Sequence, residues 1–173
     1  DLDAATQRRF DAGHQAEQEF LPHAEAFIDD DLYPITGSIE LDGMTLLASF
    51  DGLTMDWRYG YEHKLLNLAL LTEISLNSLS PSYYWQLEQQ LLVSGAEKIL
   101  FCCSDGTLDK KGTMWYESIP SRRAALIAGW KQFAEDLMKP LGATVGFYVK
   151  GELAVSSSAT VLDREVLTEY GKL

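Results

Sequence analysis

The fold is decided by residues 44–64, MTLLASFDGLTMDWRYGYEHK, in which Asp51 closes one strand-like run and Glu-His-Lys closes the next. Side chains on a strand alternate between faces, so Glu62 and Lys64 share one face and the intervening His63 points to the other. Carboxylates on neighbouring strands supply the hard oxygen ligands that Mg²⁺ prefers, and Lys64 adds an ammonium beside them. The stretch therefore predicts a metal site suited to phosphodiester hydrolysis.

The same residues match the PD-(D/E)xK nuclease motif, which is weak alone because Asp and Glu-x-Lys recur by chance. Three further segments strengthen it: Tyr-Trp-Gln-Leu-Glu-Gln-Gln-Leu at 84–91, Val-Ser-Gly-Ala at 93–96, and Gly13-His14 with Glu17. With Ser-Phe-Asp-Gly-Leu at 49–53, they stand in the order of the YqaJ/lambda-exonuclease family of phage recombination nucleases. The chain resembles that family over roughly residues 10 to 137.

The resemblance implies an α/β fold with a restriction-endonuclease-like core, in which a central mixed sheet is flanked by helices. It implies a 5′→3′ exonuclease that acts on double-stranded DNA ends and leaves 3′ single strands for recombination. The ligands of one or two Mg²⁺ (or Mn²⁺) ions would be Glu17, Asp51, Glu62 and the His63 carbonyl. Lys64 and Gln86 would position the attacking water.

We expect Gln90, Tyr84, Arg8 and Arg9 to contact DNA. Gln86 and Gln90 are four residues apart and share a helix face, and the family places a Tyr at the position of Tyr84. Glu88 stands where the family pattern usually has a second Gln. The basic pairs are Arg8-Arg9, Lys110-Lys111 and Arg122-Arg123. Relatives assemble as trimeric rings, so a homotrimer would focus Arg8-Arg9 and Arg122-Arg123 onto a central channel.

The candidate site residues also have ordinary structural interpretations. An Asp-Gly after a strand is most often a turn, and Glu-His-Lys is most often a solvated strand edge. Glu17 lies on the apolar stripe of the first helix, where a carboxylate is costly to bury unless it is paired or bound to metal. Two other functions stay open: a structure-specific endonuclease with the same fold, and a non-catalytic module that binds DNA ends or a recombinase.

Composition narrows the class of protein. The chain has 173 residues, of which 46% are hydrophobic, so it can bury a core. Its net charge of -12 is unusual for a DNA-binding domain. No apolar run approaches the ~20 residues of a membrane span. The two cysteines are adjacent, which disfavours a disulfide between them and excludes a four-cysteine iron–sulfur cluster.

We expect a nuclease domain over residues 1–150 and a tail of unknown role over residues 151–173. The absence of an initial Met suggests that the chain is part of a longer protein. A cytoplasmic phage or prophage protein in a bacterial host is expected, with a single-strand annealing protein as a possible partner. The predicted helices are 3–30, 82–94 and 121–138, the predicted strands are 35–41, 44–51, 57–64, 98–103, 113–118 and 144–150, and 66–80 is predicted to be irregular.

Overall fold

The computed structural model describes residues 3–138, 145–149 and 152–156. Contacts divide the chain into two compact units, Asp1–Gly129 and Trp130–Leu173. The helices are α1 (Ala4–Ile28), α2 (Leu68–Ser75), α3 (Pro81–Ser94) and α4 (Pro120–Met138). The strands are β1 (Tyr33–Leu41), β2 (Met44–Leu53), β3 (Tyr59–Leu65), β4 (Lys98–Ser104), β5 (Lys111–Tyr116), β6 (Val145–Val149) and β7 (Glu152–Ser156).

The first unit contains a five-stranded mixed sheet in the order β1-β2-β3-β4-β5. β3 and β4 are parallel, and the other neighbouring strands are antiparallel. Asp42 and Gly43 form the turn between β1 and β2 with φ values of 50° and 83°, the left-handed conformations that a tight hairpin turn requires. The structure confirms the predicted α/β class with a mixed sheet and flanking helices.

Helices cover both faces of this sheet. α1 is capped by Asp3, whose side chain accepts the N–H groups of Ala5 and Thr6, and the helix buries Ala16, Phe20 and Ala24. Its core cluster includes Cys102, whereas Cys103 belongs to the cluster under α2 and α3. The two thiols therefore lie on opposite faces of β4 and do not bond to each other. Both are free and buried.

Helix α2 corrects one prediction, since residues 66–80 were expected to be irregular. The Asn67 side chain caps the helix by accepting the N–H groups of Ala69 and Leu70. Leu70 and Ile74, four residues apart, are buried against the sheet. A polar cap followed by a short, largely apolar run is ambiguous in sequence, and burial of this face selects the helix.

α3 follows its prediction closely. It begins at Pro81, where the missing N–H costs nothing, and ends at Gly95 in the left-handed conformation, with φ 70°. Leu87 and Leu91 are buried, so the helix is held with Gln86 and Gln90 on a different face. This orientation brings those two amides to the sheet residues described below.

The second unit contains the C-terminal part of α4 and an antiparallel hairpin of β6 and β7. The strand predicted at 144–150 corresponds to β6. The predicted domain boundary between residues 150 and 151 lies outside the described residues. Within the described ranges, no helix has the length and apolar character needed to cross a membrane.

Candidate active site

The site begins where β2 and β3 separate. Their ladder consists of Gly52 with Tyr61 and Leu53 with Gly60. One residue before the ladder, the Asp51 side chain replaces the backbone pairing, and its Oδ2 accepts the N–H of His63 at 2.7 Å. A Cβ at Gly52 would lie 2.8 Å from the Cβ of Leu32, so only glycine allows this close packing. Asp51 is thereby fixed against β3.

Glu62 and Lys64 project from the same face of β3, as period two predicts. Lys64 Nζ lies 2.5 Å from Glu62 Oε1 and 3.1 Å from Gln86 Oε1. The Gln86 amide donates to the same Glu62 oxygen at 2.7 Å. The Glu62 side chain is only 4% exposed, whereas Lys64 is 31% exposed. The ammonium is therefore both positioned by its neighbours and open to an incoming ligand.

Gln90 supports the second oxygen of the same carboxylate. Its Nε2 donates to Glu62 Oε2 at 2.6 Å and to the Ser49 carbonyl at 2.8 Å. Gln90 was predicted to contact DNA. It is only 1% exposed, however, and instead supports the Glu62 carboxylate from inside the protein. Its Oε1 is buried without a hydrogen-bond partner among the described residues.

Three carboxylates, each from a different element, interact electrostatically here. Burial raises the pKa of Asp51 to about 7, and the charges of Glu62 and then Glu17 add to the effect. Burial also raises the pKa of Glu17, on α1. His14 opposes this shift and the charge of Glu62 adds to it. Helix α1 therefore brings Glu17 within electrostatic range of the two strand carboxylates.

This donor set suits a hard divalent cation. The charge of Glu62 disfavours the ionisation of Asp51 and of Glu17, and a cation among the carboxylates would relieve both this repulsion and the cost of burial. In the conformation of residues 3–138, however, no three His, Cys, Asp or Glu side chains are close enough to hold one ion. Both oxygens of Glu62 accept bonds from amides or the ammonium. Joint coordination through Glu17, Asp51 and Glu62 therefore needs side-chain rotation.

The His63 ring lies on the opposite face of β3, as predicted. Its Nε2 is 2.7 Å from Ser104 Oγ, which also accepts the N–H of Gly106 at 3.1 Å. Burial and the Lys64 ammonium lower the pKa of His63 to about 4, so the ring is neutral at pH 7. The ring is thus part of the packing beneath α1, and only the His63 backbone faces the carboxylates. The Ser104 contact was not predicted, although Ser104 follows Cys102 by two residues and so shares its strand face.

The remaining predicted contact residues lie elsewhere. Arg8 and Arg9 are exposed on α1, about 12–14 Å along the helix axis from Glu17 at 1.5 Å per residue. Tyr84 is half-buried, and the Arg122 guanidinium stacks on its ring at 3.8 Å. Arg123 is likewise paired with a buried acid, Glu88, at 3.5 Å. Both arginines, which were expected to face the channel of a trimer, are therefore engaged in contacts within the subunit.

No protein-family profile matches the chain, and no curated protein matches its sequence. An alkaline exonuclease (LHK-Exo) from Laribacter hongkongensis is similar in structure, with a TM-score of 0.53 and 21% identity over 79% of this chain and 74% of that chain. The chain has a restriction-endonuclease-like α/β core.

The structure of LHK-Exo in complex with dAMP is also similar, with a TM-score of 0.60 and 20% identity over 82% of this chain and 74% of that chain. At this level of identity, the likeness establishes the shared fold. It includes most of both chains, so it is not limited to a few strands of the sheet.

Proposed function

We propose that the protein is a divalent-metal-dependent deoxyribonuclease that degrades double-stranded DNA from its ends in the 5′→3′ direction. The observation that carries the proposal is the joint placement of Asp51, Glu62 and Lys64 where β2 and β3 separate. A turn aspartate and a solvated strand edge would not explain why Glu62 is 3% exposed and bonded on both oxygens. The fold shared with an alkaline exonuclease supports the same reaction class.

Each residue has a distinct proposed role. Glu17, Asp51, Glu62 and the His63 carbonyl would hold Mg²⁺ or Mn²⁺, which when bound polarises the phosphoryl group and lowers the pKa of its water. Lys64 is exposed enough to reach a phosphate oxygen, where its ammonium would stabilise the charge that develops during hydrolysis. Gln86 keeps that ammonium oriented by accepting from Lys64 while donating to Glu62.

A chain with a net charge of -12 is poorly suited to hold DNA through one face. We therefore propose a homotrimer that encircles the duplex, in which the exposed pair Arg8-Arg9 contributes to the channel. Arg122 and Arg123 are omitted from this proposal because both are engaged within the subunit. Tyr84, which is only half-buried, remains a candidate DNA contact.

The biological setting follows from the same resemblance. We propose that the protein acts in the cytoplasm of a bacterial host as a phage or prophage recombination enzyme. Its product, a 3′ single strand, would pass to a single-strand annealing protein. Light scattering would test the assembly: the proposal expects three times the monomer mass of 19.3 kDa at micromolar concentration.

The experiment that tests the function compares linear and covalently closed circular plasmid with Mg²⁺ and with excess EDTA. The proposed exonuclease degrades the linear form only, and EDTA stops it. A structure-specific endonuclease would nick or linearise the circle. A DNA-end-binding module would retard linear DNA in a gel and degrade neither form. Duplexes labelled at either the 5′ or the 3′ terminus would establish the polarity. The proposed 5′→3′ exonuclease releases labelled mononucleotide first from the 5′-labelled duplex.

A further inference from the structure

Glu88 is a buried carboxylate that the proposed chemistry does not use. It lies on α3, is 0% exposed, and stands on the side of the helix away from Gln86 and Gln90, since residues two apart are rotated by about 200° at 3.6 residues per turn. A fully buried carboxylate is costly unless several donors satisfy it. The groups that donate hydrogen bonds to Glu88 therefore indicate its structural role.

Four donors surround Glu88, and they come from the segment that runs from the last residue of β5, Tyr116, to the first turn of α4, which contains Arg123. Oε1 accepts the Tyr116 hydroxyl at 2.7 Å and the Ile119 N–H at 2.8 Å. Oε2 accepts the Ser118 hydroxyl at 2.7 Å and lies 3.5 Å from Arg123 Nε. These contacts satisfy the carboxylate and connect α3 to a part of the chain 28 to 35 residues later.

Arg122 closes the network from the outside. Its guanidinium stacks on Tyr84, one turn before Glu88, at 3.8 Å, and donates to the Tyr116 hydroxyl at 3.2 Å. The hydroxyl of Tyr116 thus bridges Arg122 and Glu88. Helix α3 is consequently held at two successive turns, through Tyr84 and Glu88, by the same neighbouring segment.

We propose that Glu88 is a positioning residue that fixes the rotation of α3 so that Gln86 and Gln90 meet the two oxygens of Glu62. The helix has polar contacts on two opposed sides, with Glu88 on one and Gln86 and Gln90 on the other. Rotation about the helix axis would break both sets together. The proposal rests on the proposed nuclease function only for its effect on turnover, because the effect on the two amides is independent of activity.

The test uses the whole chain with Glu88→Ala, Glu88→Gln and Tyr116→Phe. Val93→Ala is the matched control, because Val93 is a buried residue of the same helix that belongs to no contact of Glu88. In wild-type protein, the side-chain NH₂ resonances of Gln86 and Gln90 should be shifted and protected from solvent exchange by their bonds to Glu62. In Glu88→Ala they should move towards free-glutamine positions and exchange at least 10-fold faster, whereas Val93→Ala should keep them.

Turnover is measured with linear duplex at a temperature where each variant is folded. We expect kcat to fall at least 10-fold in Glu88→Ala and less in Tyr116→Phe and Glu88→Gln, with KM for DNA changed less than 2-fold. The Val93→Ala control should have a lower Tm than wild type but the same kcat. A folded Glu88→Ala variant with wild-type amide resonances and wild-type kcat would overturn the proposal. If wild-type protein hydrolyses no DNA while the amides still respond to Glu88, the positioning role stands and the proposed function fails.

Discussion

The side-chain amide of Gln90 lies 2.6 Å from Glu62 Oε2, inside the protein, and holds the carboxylate from the side opposite Lys64. With Gln86 and Lys64 on Oε1, both oxygens of the Glu62 carboxylate accept from donors that fix its orientation. A buried carboxylate bonded in this way is not a solvated surface charge, and it would have to release at least one of these donors before it could bind a metal ion.

Replacement of Gln90 by Ala should destabilise the protein. It leaves Glu62 Oε2 and the Ser49 carbonyl without their donor in a buried site, at a cost of about 2 kcal/mol or a Tm decrease of about 4–8 °C. Gln89→Ala is the control, since Gln89 is a helix neighbour whose amide bonds the Leu47 carbonyl near the surface. Thermal unfolding measures both. Equal Tm values for the two variants would show that the Glu62 contact contributes little.

Replacement of Asp51 by Asn should separate metal binding from stability. Asp51 bears a charge that burial and Glu62 both disfavour, so the metal-free variant should be at least as stable as wild type at pH 8. Mg²⁺ should raise the Tm of wild type, because a ligand that binds only the folded state stabilises it, and should raise that of Asp51→Asn much less. Asp109→Asn, an exposed site, is the control. A wild-type Tm that responds neither to Mg²⁺ nor to Mn²⁺ would contradict the metal assignment.

The cysteines should be unreactive in the folded protein. Burial raises the pKa of both the Cys102 and the Cys103 thiols, and the thiolate is the reactive form. At pH 8, iodoacetamide should leave native protein unmodified over an hour and should modify both positions in 6 M guanidinium chloride. Mass spectrometry of the intact chain gives the readout. Rapid native labelling at either position would mean that β4 is more open than its packing indicates.

The sequence predicted the parts of the site that depend on local periodicity. Period two on β3 placed Glu62 and Lys64 together and His63 apart, and a Pro and a Gly bounded α3. It could not supply the partners of Glu88, because these residues follow 28 to 35 positions later and meet it only after β5 and α4 have packed. Gln90 was predicted to contact DNA, and its burial could not be foreseen for a similar reason, since it depends on how α3 docks on β2.

Lys64 is the residue on which the proposed chemistry depends most. Lys64→Ala removes the ammonium next to Glu62 but leaves the Gln86 and Gln90 amides on that carboxylate, so the fold should persist. Loss of one group that stabilises transition-state charge typically lowers kcat by about 10²-fold or more. Lys110→Ala, which removes an exposed lysine paired with Asp105, should retain wild-type turnover.

The most direct measurement is the Mg²⁺-dependent release of acid-soluble nucleotide from a linear duplex by wild type, Lys64→Ala and Lys110→Ala. The site described above predicts release by wild type and Lys110→Ala, loss of at least about 10²-fold in Lys64→Ala, and none with EDTA. Equal release by Lys64→Ala and wild type, or release by wild type that persists in excess EDTA, would contradict the account.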